Sequence, residues 1–193
     1  MLSFLKRRIF LFFAFGTTPL FAGNIETQPH FNTLSIFRDK GSRVVFNFEM
    51  NLSLVMGKIL DPQLSHEEFL TKLFTFSDDK FQKTIEIVQK ELETKSTVST
   101  PQGLNYNLIN WQFPDIKRLW FLFSNESAYL KLSTQLQAHV DPVVIKAEIP
   151  ASHAMQRARL TLPESLMPIL VINGVHDKFW LSEQIPLAVL DIP

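Results

Sequence analysis

Residues 44–54 read VVFNFEMNLSL, and the pattern restricts the fold more than any other in the chain. Val44, Phe46, Phe48, Met50, Leu52 and Leu54 are apolar, and Val45, Asn47, Glu49, Asn51 and Ser53 alternate with them. Side chains on a strand point to opposite faces in turn, so this period of two predicts a strand with one buried face. Leu34 and Ile36, flanked by Thr33 and Ser35, supply a matching partner. Asp39, Lys40 and Gly41 lie between the two runs and have the chemistry of a tight turn, which predicts a hairpin.

The periodicity then changes. After Asp61-Pro62, the stretch LSHEEFLTKLFTF begins with Ser65 three residues before Glu68, the signature of a helix capping box. Phe69, Leu70, Leu73 and Phe74 form its apolar stripe. A second helix follows, capped by Ser77, with Asp78 and Asp79 at the positive end of its dipole and Phe81, Ile85, Val88 and Leu92 at helical spacing. Neither helix is long enough to be stable without a surface that covers its stripe.

Beyond residue 95 a hairpin is expected across Pro101-Gln102-Gly103, then a short helix in PDIKRLWFLF. A strand is expected over 128–140, where Leu130, Leu132, Thr134 and Leu136 alternate with polar residues. From Val143 onward the short apolar runs VVIKAEI, RARLTL, PILVING, DKFWL and LAVLDI are separated by Pro150, Pro163, Pro168, Gly174 and Pro186. Short strands at this spacing suggest an antiparallel sandwich or barrel. The expected fold is therefore α+β: an antiparallel β-sandwich-like body with a two-helix excursion at about 65–95, carried on a helical insertion at 62–95.

The first 22 residues do not fit that body. Lys6, Arg7 and Arg8 precede an unbroken apolar run from Ile9 to Phe15, and Leu20-Phe21-Ala22 offers Ala before a cut. This three-part plan is that of a secretory signal peptide, cleaved after Ala22. The run is too short for a spanning helix, which needs about 20 apolar residues. The expected organisation is a signal peptide at 1–22 and one domain at 23–193, with a periplasmic or secreted bacterial location and no stable membrane span after cleavage. The whole chain has 19 basic and 19 acidic residues. The leader takes three bases and no acid, so the remainder is mildly acidic. That balance argues against nucleic acid as a partner, because phosphate binding depends on basic contacts. The chain has no Cys, which removes thiol nucleophiles, disulfides and thiolate metal sites.

Few residues suggest chemistry. No HExxH or G-x-S-x-G motif occurs, and the six glycines are scattered singly. His139, Asp141, His153 and His176 are the one set of N/O donors that could gather a zinc or copper ion, or serve an unrecognised hydrolase. Ser152 and His153 are adjacent, so on a strand they would face opposite sides and not form a nucleophile–base pair. His66 reads as a first-turn helix residue. The aromatics are more suggestive. Trp111, Trp120 and Trp180 could line a groove, and Phe179 and Trp180 are neighbours on an expected strand, so one of them must face away from the core. Trp111, Phe179 and Trp180 are the candidate binding residues. The sequence thus reads as a non-catalytic binding or assembly module of the cell envelope, with an envelope protein or peptide as partner and no cofactor. The alternatives are the metal or hydrolase site just described, and a carrier of an apolar ligand in a Phe-lined cavity.

Overall fold

The computed structural model describes residues 32–40, 43–132, 141–149, 157–174, 177–185 and 187–192. It is a mixed α+β chain with two sheets. The elements in order are β1 (Asn32–Arg38), β2 (Val44–Met50), α1 (Leu52–Leu60), α2 (His66–Leu73), α3 (Asp78–Lys95), β3 (Thr97–Ser99), β4 (Asn105–Asn107), β5 (Ile109–Gln112), α4 (Ile116–Leu132), β6 (Val143–Glu148), β7 (Arg157–Thr161), β8 (Ile169–Asn173), β9 (Asp177–Leu181) and β10 (Leu187–Asp191). A six-stranded sheet has the order β5-β6-β2-β1-β8-β9, and a four-stranded sheet has the order β10-β7-β3-β4.

The opening alternation forms the centre of the larger sheet. β1 and β2 pair antiparallel, with Leu34 opposite Phe48 and Ile36 opposite Phe46. All four of these side chains are buried. β6 covers the other edge of β2, Ile145 opposite Phe48. On its own other edge β1 pairs with β8 in parallel, the one departure from antiparallel pairing among the described residues. Buried residues of both sheets and of the helices form a single hydrophobic cluster.

Two expectations need correction. The strand pattern that begins at Val44 stops at Met50. Asn51 caps a helix there: its side chain accepts from the Leu54 backbone N–H at 3.0 Å. Leu52, Val55 and Met56 then face the core at helical spacing, so the helical excursion has three helices and starts at Leu52. The second correction concerns the strand expected from residue 128. α4 continues through Leu132, because Leu119, Phe123 and Leu130 extend one helical stripe onto the core; residues 133–140 lie outside the described residues. The capping box at Ser65 and Glu68 forms with both of its hydrogen bonds, and Ser77 caps α3 through the Lys80 N–H. Among the described residues no helix is long and apolar enough to cross a membrane.

Candidate functional site

The aromatic candidates separate into packed and exposed. Trp111 on β5 stacks between Phe48 and Phe113, with centroids 5.6 and 5.9 Å away, and its Nε1–H donates to the Leu108 carbonyl at 2.9 Å. Trp120 meets Phe74 and Phe81 edge-on. These two rings thus knit α4 and β5 to the core, a geometry aromatic side chains favour. On β9 the expected division between neighbours is found: Phe179 packs against the core and Trp180 is 48% exposed.

Trp180 belongs to a larger feature. Ile185 is 62% exposed, Leu187 37% and Val189 59%. Four of the twelve large exposed apolar residues among the described residues therefore fall between positions 180 and 189. β9 ends the six-stranded sheet and β10 ends the four-stranded one. The link between them is a tight turn in which Ser182 and Ile185 exchange backbone hydrogen bonds of 3.2 and 3.0 Å. The chain thus steps from the edge of one sheet to the edge of the other. Among the described residues β9 is paired only by β8 and β10 only by β7. An edge strand with apolar side chains and unpaired backbone groups is a template for another strand.

Of the metal or hydrolase set, His139, His153 and His176 lie outside the described residues. Asp141 is exposed and precedes β6, near the end of the larger sheet where Val143 pairs with Met50. Gly174 follows the end of β8, and Asp177 begins β9. There β8 has run parallel to β1 as far as Ile36, toward the β1–β2 turn and the opposite end of the sheet.

One group of polar residues was not anticipated. Ser53 and Glu126 are buried, and they meet His66 between α1, α2 and α4. Ser53 Oγ lies 2.5 Å from Glu126 Oε2, 2.8 Å from Asn51 Oδ1 and 2.8 Å from His66 Nε2. Asn51 Nδ2 donates to Glu126 Oε1 at 2.8 Å, and His66 Nε2 is 3.3 Å from the same oxygen. Ser53 has a single hydroxyl proton. Its shortest contact is to the carboxylate, which takes that proton, so His66 Nε2 carries a hydrogen and donates to Ser53. Burial pushes the His66 imidazole below its usual pKa, and the charge of Glu126 partly opposes this.

Serine, histidine and glutamate at these distances invite comparison with a hydrolytic triad, and the geometry refuses it. In a triad the serine gives its proton to one imidazole nitrogen and the carboxylate holds the other. Here Nε2 faces both partners, Ser53 gives its proton to Glu126, and Ser53 is closed to solvent. The group is a brace. Glu126 lies against the N-terminal turns of both α1 and α2, where backbone N–H dipoles favour a carboxylate. The sequence did hold a signal for it: Glu126 is a charge on the apolar stripe of α4, three residues after the buried Phe123.

A cleft of about 880 Å³ opens where α1 and α3 end beside β3 and β7. Lys58, Lys95, Glu91, Glu164 and Glu183 are among its lining residues. Lys58 Nζ is held by the Met167 carbonyl at 2.7 Å, and Lys95 pairs with Glu91. No phenylalanine is among its lining residues, so it is not the Phe-lined cavity expected of an apolar-ligand carrier. Comparison of the chain with known protein families, with curated proteins and with solved structures found no match.

Proposed function

We propose that this protein is an exported, non-catalytic binding or assembly module of a bacterial cell envelope, and that it takes an extended polypeptide onto the edge formed by β9 and β10. The observation that carries the reading is the run of exposed apolar residues Trp180, Ile185, Leu187 and Val189 on two successive edge strands and the turn between them. Main-chain hydrogen bonds to such an edge give affinity, and pockets for alternate side chains give selectivity. The leader pattern at residues 1–22 supports export, and a body with no cysteine folds without disulfides in any compartment.

Two measurements test this. Expression of the full chain in a Gram-negative host, followed by fractionation and mass measurement, should give a periplasmic product that begins at Gly23; an intact cytoplasmic chain refutes the export step. Titration with extended peptides of alternating apolar sequence should shift the Trp180 emission to the blue. Leu187→Lys together with Val189→Lys should abolish that response, and a response that survives both changes places binding elsewhere.

A further inference from the structure

We propose that the occupant of the β9 edge is a second copy of this chain, paired antiparallel with its own β9 about a two-fold axis through Phe179. The inference rests on the reading of this edge as a binding surface and goes further by naming what binds there. β9 is Asp177-Lys178-Phe179-Trp180-Leu181, and β8 occupies only one of its sides. Lys178 and Trp180 are both exposed and lie two residues apart, so they share a face of the sheet. Phe179 is on the other face, packed against the core.

A two-fold axis normal to the sheet leaves three registers near the middle of this strand. Centring on Lys178 sets two ammonium groups opposite each other, which is unfavourable. Centring on Trp180 leaves both Asp177 and Lys178 without a partner in the strand and pairs only three residues. Centring on Phe179 uses all five residues. It sets Lys178 of each copy opposite Trp180 of the other, so that two cation–π pairs form on the outer face. On the inner face the two Phe179 rings meet across the axis and extend the apolar layer of both sheets. Asp177 falls opposite the buried Leu181 and makes no favourable pair, so the register rests on the three central positions. The strand thus matches itself best in one register, through Lys178 against Trp180 and Phe179 against Phe179.

The absence of native cysteine makes the register directly readable. Opposed residues in such a ladder have Cβ atoms about 5 Å apart and diagonal ones about 7–8 Å, and only the former suit a disulfide. Lys178→Cys and Trp180→Cys proteins, purified separately and mixed under mild oxidation, should give a cross-linked dimer that neither forms alone. Sedimentation of the unaltered protein at tens of micromolar should show a dimer. Trp180→Lys should weaken it at least tenfold by setting lysines opposite each other twice. The exchanged pair Lys178→Trp with Trp180→Lys should restore it, since a merely destabilised fold would not be rescued. A monomer at every concentration overturns the proposal, as does efficient self-linkage of Trp180→Cys. If the protein is monomeric and peptide still shifts Trp180 emission, self-pairing fails while the reading of the edge as a binding surface stands. If neither occurs, both fail.

Discussion

Glu126 is the residue whose replacement says most about how the helices are joined. In Glu126→Ala the Asn51 Nδ2 donor, now 2.8 Å from Oε1, loses its acceptor in a partly buried setting. Ser53 does not share that fate, because it turns its proton to Asn51 Oδ1 at 2.8 Å. His66 keeps Ser53 Oγ as acceptor at 2.8 Å. One orphaned polar group costs about 1–3 kcal/mol, and the vacated space adds about 1 kcal/mol more. The expected loss is therefore roughly 2–4 kcal/mol, far less than three broken hydrogen bonds would suggest. For a domain of this size each kcal/mol moves Tm by about 2–4 °C. Glu126→Gln should behave differently. Its carbonyl accepts from Asn51, its amide donates to Ser53, and Ser53 donates onward to Asn51, so every group keeps a partner. The expected loss is below about 1.5 kcal/mol. Urea unfolding followed by circular dichroism measures both. Equal losses for Ala and Gln, or an Ala variant within about 0.5 kcal/mol of the parent, would refute the proton assignment.

The remaining predictions concern His66, the α2 cap and Trp180. The His66 pKa is lowered in the fold from 6.5, so its neutral form is favoured there, and this share of stability is present above 6.5 and lost as pH falls through the lowered value. In urea melts at pH 7.5 and 5.0 the parent should therefore lose more stability than His66→Gln, and identical losses would remove His66 from the account. Ser65→Ala removes the acceptor for the Glu68 N–H and should cost about 1 kcal/mol. Glu68 is held below the usual carboxyl range chiefly by its hydrogen bonds with Ser65, and NMR titration of Ser65→Ala should show its pKa rise. Among the three tryptophans Trp180 should be the most accessible to iodide, so Trp180→Phe should remove most of the quenchable emission; unchanged quenching would contradict the exposure of β9.

Much of the fold was legible because alternation and capping are local. The hairpin of β1 and β2, the box at Ser65 and Glu68, α3 and the strands after Val143 all follow from residues within a few positions of one another. The failures occurred where two periods overlap. Leu52, Ser53 and Leu54 continue the alternation of β2, yet Leu52, Val55, Met56, Ile59 and Leu60 also form a helical stripe, and the Asn51 cap decides between them. Leu130 and Leu132 presented the same ambiguity at the end of α4. The brace was hidden for another reason. Ser53 and Glu126 are 73 positions apart, so only the packing of α4 against α2, which itself packs on α1, brings them together. The exposed side of β9 was half legible: adjacency required Phe179 and Trp180 to diverge, and the choice between them needed the core.

The parallel pairing of β1 with β8 has a cost in time. Asn32, at the start of β1, donates from its side chain to the Leu166 carbonyl just before β8, across 134 positions. At about 5–20 residues added per second, a ribosome needs roughly 7–27 s to cover that distance. Throughout that interval one flank of the opening hairpin is bare and prone to sticking to neighbouring chains. A chain held unfolded until its last residue has emerged escapes that hazard, so passage through an export channel before folding would suit this topology better than folding from the front.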